Sequence, residues 1–175
     1  MNQSSGSAPG PAPEGASRKG PPSGEIPWEA LAKDMRQALL SEIGARSIYD
    51  HLSRRVADEE LARLLLELNR DGARTVGLLQ AVIRDLGGRP KRTSLRRRAM
   101  ARALCASSYV VGVRVVLRIC AHAEETVSRW YNEYSAFFLG LGDYSRARSF
   151  RDLSLEKQLR SRALGAWIAN VHRRG

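Results

Sequence analysis

Residues 42–49 read Glu-Ile-Gly-Ala-Arg-Ser-Ile-Tyr and fall in the middle of a long helical pattern. Apolar residues recur around them at steps of three and four, at Met35, Ala38, Leu39, Ala45, Tyr49, Leu52 and Val56. This spacing marks one helix face, and Glu42 lies on that face where leucine would be expected. An ionised carboxylate inside a helical bundle is costly unless a metal, a cation or a proton neutralises it. The function therefore depends on the group that Glu42 meets.

The chain of 175 residues divides into a tail and one folded part. Residues 1–25 are rich in Ser, Gly, Pro and Ala and have almost no large apolar side chain, so the sequence predicts a disordered tail there. This tail lacks the apolar core of a secretory signal and the early basic charge of a transit peptide. Residues 26–175 are long enough for one domain with a core of its own.

Four helical segments stand out in the folded part, and strand patterns are almost absent. The segments cover about residues 28–56, 58–86, 94–138 and 143–171. Gly87 and Gly88, with Pro90 just beyond them, end the second segment, and Ser94 suits the N-cap of the third. A kink is expected near Gly112. Four long helices with a short first turn predict an all-α fold, an antiparallel four-helix bundle.

A second carboxylate is predicted to face inward from the third segment. Glu42 and Glu124 are each followed seven residues later by a tyrosine, Tyr49 and Tyr131 respectively. Seven residues make about two helical turns, so each glutamate and its tyrosine share a face. Two carboxylates from two helices are half of a bundle-type di-iron site, and the other half is a Glu-x-x-His motif on each remaining helix.

These motifs resemble the ferritin-like di-iron superfamily, and within it demethoxyubiquinone hydroxylase, the di-iron monooxygenase of ubiquinone biosynthesis. Residues 41–49 are similar to its first-helix motif Gly-Glu-x-Gly-Ala-x-x-Ile-Tyr, and Arg89-Pro90 is similar to the Arg-Pro after its second helix. Residues 123–132 resemble its third-helix motif Val-Glu-Glu-x-Ile-x-x-His-Tyr-Asn, with Trp130 in place of the histidine. The likeness covers about residues 36–160. It implies a ferritin-like bundle with Glu42 and Glu124 as metal ligands and the two tyrosines beside them.

The same resemblance implies where the remaining ligands should stand. The second-helix pair would fall on Gly72 and Thr75, and the fourth-helix pair on Ser154 and Lys157 or, three residues later, on Lys157 and Arg160. None of these positions supplies a Glu-x-x-His pair, so we expect no functional di-iron site. We hypothesise that Lys157 or Arg160 neutralises the two carboxylates where iron would be, since a cation can bridge two carboxylates by hydrogen bonds.

Other groups can be considered as replacement ligands. His51, His122 and His172 are expected on other faces or at the chain end, as surface or second-layer histidines. Asp71 and Glu156 each stand one residue from an expected inward position. One interpretation is that both acids lie on the surfaces of their helices. The alternative is a relaxed metal site that uses these two acids together with Glu42 and Glu124.

The formal net charge of +11, mostly from arginine, favours a polyanionic partner. The densest basic stretch opens the third segment and consists of Lys91, Arg92, Arg96, Arg97, Arg98 and Arg102. This basic stretch is followed by Ala, Leu, Tyr and Val, a pattern that suits binding to an anionic membrane surface. The alternative is a basic turn that is simply exposed to solvent. Nucleic acid would be bound only non-specifically, because no motif for base reading is present. The two cysteines fit a reducing cytosol, with the inner face of the membrane as the place of contact.

Three functions from different classes follow. The first is a non-catalytic ferritin-like bundle without a cofactor that serves as a scaffold, a binder of lipid or quinone, or a partner subunit, including in a homodimer. The second is a di-iron monooxygenase or ferroxidase with atypical ligands. The third is a basic module for anionic lipid or nucleic acid. The missing Glu-x-x-His residues favour the first, and whether the chain is an enzyme stays open until its metal content is measured.

Overall fold

The structure is a computed structural model that describes residues 28–90 and 95–171. These residues form five helices, α1 Trp28–Ser53, α2 Glu59–Asp85, α3 Leu95–Ser107, α4 Val113–Gly140 and α5 Tyr144–Val171. No strand occurs within the two described ranges, which confirms the all-α prediction. The predicted disordered tail, residues 1–25, lies outside them.

The third predicted segment is two helices, which corrects the prediction of a single kinked helix. Helix α3 ends at Ser107 and α4 begins at Val113. Between them Gly112 adopts a φ of 83°, a conformation that glycine reaches without steric strain. At the end of α3 the Ser107 and Ser108 hydroxyls donate to the carbonyls of Leu104 and Cys105, at 2.8 and 2.6 Å. Such local side-chain bonds compete with helix continuation.

Helices α1 and α2 form a closely packed pair. The Asp58 carboxylate caps α2 by accepting a hydrogen bond of 2.9 Å from the Leu61 amide. Near the other end of α2, a Cβ added to Gly88 would lie 3.1 Å from the Cβ of Ala32. Further along, Nε of Arg46 donates to the side chain of Asn69 at 3.0 Å. The end of α2 therefore lies beside the start of α1, and the two helices run in opposite directions.

Helices α4 and α5 pack through small residues. The hydroxyls of Ser128 and Ser154 donate to each other's backbone carbonyl at 3.0 and 2.9 Å. About two turns away from this contact, Ser135 donates to the carbonyl of Ala147 at 2.7 Å. Hydroxyls that bond across the interface leave no bulky side chain between the helices, so the backbones approach closely.

The core consists of two apolar clusters. One contains Met35, Leu39, Leu79, Ile83, Tyr131, Phe138 and Phe150 among its buried residues. The other contains Tyr49, Leu52, Leu61, Leu65, Val116, Leu117 and Leu164. Glu42, Glu124 and Lys157 lie between the two clusters along α1, α4 and α5 respectively. Among the described helices, none is both long and apolar enough to cross a membrane.

Candidate functional site

Three charged side chains meet in the interior and form what we call the lysine–carboxylate centre. Glu42 of α1, Glu124 of α4 and Lys157 of α5 are each 2% exposed. Nζ of Lys157 lies 2.7 Å from Oε1 of Glu42 and 2.7 Å from Oε2 of Glu124. It also donates a hydrogen bond of 2.8 Å to Oε2 of Glu42. Its contact with Glu124 is an ion pair without hydrogen-bond geometry, since Oε2 of Glu124 accepts no hydrogen bond.

Two buried tyrosines complete this centre by crossing between α1 and α4. Tyr49 of α1 donates to Oε1 of Glu124 at 2.6 Å, and Tyr131 of α4 donates to Oε1 of Glu42 at 2.7 Å. Each phenol thus bonds to the glutamate of the other helix, although each shares a face with the glutamate of its own helix. Hydrogen bonds to ionised acceptors are among the stronger ones in proteins, so the crossed pairs fix both carboxylates.

The environment of the two phenols keeps them neutral. Burial raises the pKa of Tyr49 well above its ordinary value of 10.0, and the charge of Glu124 raises it further. The pKa of Tyr131 is raised in the same way, first by burial and then by Glu42. With both carboxylates ionised, the centre therefore carries two negative charges and one positive charge, a formal net charge of −1.

Alkaline pH is expected to destabilise the fold through these tyrosines. Because the pKa of each phenol is higher in the folded state, the folded chain keeps protons that the unfolded chain releases. Stability is therefore complete below about pH 10 and falls above it, by about 1.4 kcal/mol per pH unit for each tyrosine. Urea unfolding between about pH 9 and 11 measures this slope. The double variant Y49F/Y131F should reduce it to the part contributed by Tyr134, whose pKa is also raised by burial and by its hydrogen bond to Asp34. Y144F should leave it unchanged, since Tyr144 is 72% exposed.

The positions at which the resemblance places the missing metal ligands are buried, but the residues there contact groups outside the lysine–carboxylate centre. Gly72 and Thr75 of α2 and Ser154 of α5 are all buried. Thr75 donates to the carbonyl of Asp71 at 3.2 Å, and Ser154 bonds across to α4. A Cβ on Gly72 would lie 2.7 Å from Cγ of Arg46, so the Arg46 side chain covers this position.

The two candidate cations have different partners. Lys157 lies between Glu42 and Glu124, whereas Arg160, 5% exposed, does not contact them. Nη2 of Arg160 lies 3.2 Å from Glu156 and 3.7 Å from Asp71. These two acids, the possible replacement ligands, therefore pair with Arg160 rather than joining the lysine–carboxylate centre.

The two histidines that the structure describes, His51 and His122, are not part of the centre. His51 is half-buried and its Nε2 has no hydrogen-bond partner, and His122 is exposed. His172 lies outside the described residues. None of the described ion pairs or hydrogen bonds links a histidine side chain to either glutamate.

These donors do not fit a di-iron centre. Such a centre in a helical bundle needs a Glu-x-x-His motif on two helices in addition to the two carboxylates. Here the ammonium of Lys157 takes the space between the carboxylates at 2.7 Å from each. Within residues 28–90 and 95–171, no group of three or more His, Cys, Asp and Glu side chains is arranged to hold a metal ion.

An apolar pocket of about 480 Å³ reaches the centre from the surface. It lies between α1, α3 and α4, and its floor is formed by Tyr49, Glu124 and Lys157. The walls are small or apolar and include Gly44, Ala45, Ile48, Ala101, Leu104 and Val127. At its mouth Met100 and Ile119 are 63% and 47% exposed. A separate cavity of about 620 Å³ lies beside Trp167, between the start of α2 and the end of α5, and includes no residue of the centre.

The connection between α3 and α4 exposes further apolar side chains beside this mouth. We call this the elbow surface, and it consists of Met100, Tyr109, Val110, Val111, Val115 and Ile119. Arg102, Arg114 and Arg118 are exposed on the same two helices. The Arg55 guanidinium lies 3.2 Å from the centroid of the Tyr109 ring and donates to the Ser108 hydroxyl at 3.1 Å, which links this connection to the segment between α1 and α2.

Most of the predicted basic surface cannot be placed. Lys91 and Arg92 lie outside the described residues, as do the side chains of Arg96, Arg97 and Arg98. Of that set only Arg102 is described, and it is exposed. The membrane or polyanion role of this stretch stays a prediction.

Comparisons of the chain with models of protein families, with curated proteins and with solved structures find no match. The resemblance to the ferritin-like superfamily therefore rests on the motifs quoted from the sequence. The function has to be inferred from the site itself.

Proposed function

We propose that this chain is a non-catalytic ferritin-like protein that binds a lipophilic small molecule. Its fold would be an antiparallel four-helix bundle of α1, α2, α4 and α5, with α3 as an additional helix over the pocket. The crossed tyrosine–glutamate pairs between α1 and α4 support this assignment, because two of the family's motifs supply their four residues.

The observation that carries the proposal is the apolar pocket with a polar floor. Small-molecule sites are typically apolar clefts in which a few convergent polar groups orient the ligand. Here apolar walls end on Tyr49, Glu124 and Lys157, and the volume of about 480 Å³ lies within the range of such sites. The ligand class that the resemblance implies is a quinone-like lipid.

In this proposal Lys157 has taken the place of the metal. The ammonium is the shared counter-ion of two carboxylates that would otherwise be buried without one. The centre then holds three helices together and forms the floor of the pocket. No cofactor is needed for either role.

Ligand binding by the purified, delipidated chain tests this function. A short-chain ubiquinone and dodecanol are titrated into the protein, and heat is measured at several temperatures. We expect saturable binding of one molecule per chain with a negative heat-capacity change, as burial of apolar surface requires. Absence of saturable binding for both probes would reject the proposal.

A second role, association with an anionic membrane surface, is supported by the elbow surface. Val110 is 88% exposed and Tyr109 is 68% exposed, with Arg102 and Arg118 exposed on the adjoining helices. Apolar side chains among arginines suit the interface of an anionic leaflet. The pocket mouth lies on the same surface, so a lipid would enter from the membrane. The chain would then be a cytoplasmic protein that is peripheral on the inner face.

Vesicle flotation tests this second role. The chain should float with phosphatidylglycerol vesicles more than with phosphatidylcholine vesicles, and V110D/V111D should abolish flotation. L155D is the matched control, because Leu155 is 51% exposed on α5, away from the elbow surface. A dimer that V110D/V111D dissociates would instead make the elbow surface a protein interface. If the chain is retained equally on DNA and on vesicles, and salt abolishes both interactions, the result would indicate only non-specific polyanion binding.

A further inference from the structure

We infer that the pocket selects its ligand by charge and takes an amphiphile whose head is a protonated amine. This inference rests on the proposed function, since it concerns the ligand of the same pocket, and it names a protonated amine in place of the quinone-like lipid that the resemblance implies. The property that determines the choice is the charge on the floor of the pocket.

With both carboxylates ionised, the lysine–carboxylate centre at the base of the pocket has an excess of negative charge, although Glu42 itself does not line the pocket. One ammonium, Lys157, faces two carboxylates, and all three groups are 2% exposed. The other buried cation among the described residues, Arg160, is paired with Asp71 and Glu156. The phenols of Tyr49 and Tyr131 stay neutral because burial raises the pKa of both. A net charge held away from water is unfavourable, so a ligand that brings one positive charge offsets it.

The unsatisfied acceptor also faces the pocket. Glu42 accepts hydrogen bonds from Tyr131 and Lys157 and is not part of the pocket lining. Glu124 lines the pocket, and its Oε2 accepts no hydrogen bond although it lies 2.7 Å from Nζ of Lys157. An ammonium head supplies N–H donors for this oxygen. Such a head would give this oxygen a charge-assisted hydrogen bond in addition to its ion pair with Lys157.

A carboxylate head has no equivalent partner on the floor. The hydroxyl of Tyr49 already donates to Glu124. The ammonium of Lys157 has three N–H donors and three carboxylate oxygens within 2.8 Å. A fatty acid would therefore add a third negative charge beside Glu124 and compete with both glutamates for the same ammonium.

Three probes with one shared tail test the inference, namely dodecylamine, dodecanol and dodecanoate. Each is titrated calorimetrically at neutral pH, below the concentration at which it aggregates. Dodecylamine should bind at least about tenfold more tightly than dodecanol, and dodecanoate should bind most weakly. This order opposes the chain's overall charge of +11, which attracts dodecanoate non-specifically.

The variant E124Q identifies the group responsible. It should reduce the preference for the amine over the alcohol to less than about threefold. E125Q is the matched control, because Glu125 is the next residue and is exposed, and it should keep the full preference. Thermal unfolding followed by circular dichroism checks that both variants fold. If E124Q does not fold, the order of the three affinities in the unaltered chain still tests whether the pocket selects its ligand by charge.

The outcomes separate this inference from the function on which it rests. No saturable binding of any of the three probes would reject the pocket as a ligand site and the inference with it. Saturable binding in which dodecanol equals dodecylamine, or dodecanoate is tightest, would keep the site and overturn the selection by charge.

Discussion

Replacement of Lys157 by methionine is expected to lower the free energy of unfolding by about 3–5 kcal/mol. The substitution keeps an unbranched side chain, one atom shorter, but leaves Glu42 and Glu124, both 2% exposed, without their shared counter-ion. An uncompensated buried charge is among the few changes that cost so much. Urea unfolding at neutral pH, followed by circular dichroism, measures the difference.

Two further variants show whether charge is the cause. K33M removes an exposed lysine of α1 and should change stability by less than about 0.5 kcal/mol. The triple variant E42Q/E124Q/K157M removes all three charges but keeps an acceptor for each tyrosine. Because a complete buried ion pair is often replaced at little cost, it should recover most of the loss. A triple variant no more stable than K157M would show that packing, not charge, explains the effect.

Replacement of Gly44 by phenylalanine is expected to weaken binding of the pocket probes at least about a hundredfold, or about 2.7 kcal/mol. Gly44 lines the pocket, and a Cβ there would meet no atom within 4 Å, so the ring has room to enter the space that the ligand needs. Stability should not fall, since glycine inside a helix costs about 0.5–1 kcal/mol relative to alanine.

The matched control for this prediction is G77F. Gly77 lies inside α2, and a Cβ there also meets no atom within 4 Å, but it is not part of the pocket. Calorimetry with dodecylamine and dodecanol compares both variants with the unaltered chain. Binding by G44F that equals binding by G77F would place the ligand elsewhere.

The sequence predicted the helical class and the inward positions of Glu42 and Glu124 because helical spacing is a local rule. It placed both glutamates on apolar faces, and both are buried. The positions Ser154, Lys157 and Arg160 of α5 came from the resemblance instead, and all three are buried. Turn chemistry marked the end of α2 at Gly87, whose φ is 74°.

The break before Gly112 was not predicted because the apolar spacing continues through it. The spacing passes from α3 to α4 without interruption, whereas the break depends on the positive φ of Gly112 and on local bonds of Ser107 and Ser108. A serine pair followed by a glycine was the available signal.

The crossed tyrosines and the pocket depend on how separate helices are placed. Tyr49 and Glu124 are 75 residues apart, and their contact requires a particular offset between α1 and α4. Helical spacing fixes a face but not such an offset. The pocket arises where α3 stands over small residues such as Gly44 and Ala45, and the run of small residues was its only trace in the sequence. Because the offset between helices could not be predicted, the sequence did not distinguish Lys157 from Arg160 as the central cation.

The most direct test of the central claim is the iron content of the chain after expression with added iron. The ammonium of Lys157 lies 2.7 Å from each of the two carboxylates that the resemblance implies as iron ligands. The account predicts much less than one iron per chain and no oxo-bridge absorption. Two irons per chain with that absorption would contradict it and restore the di-iron oxygenase as the function.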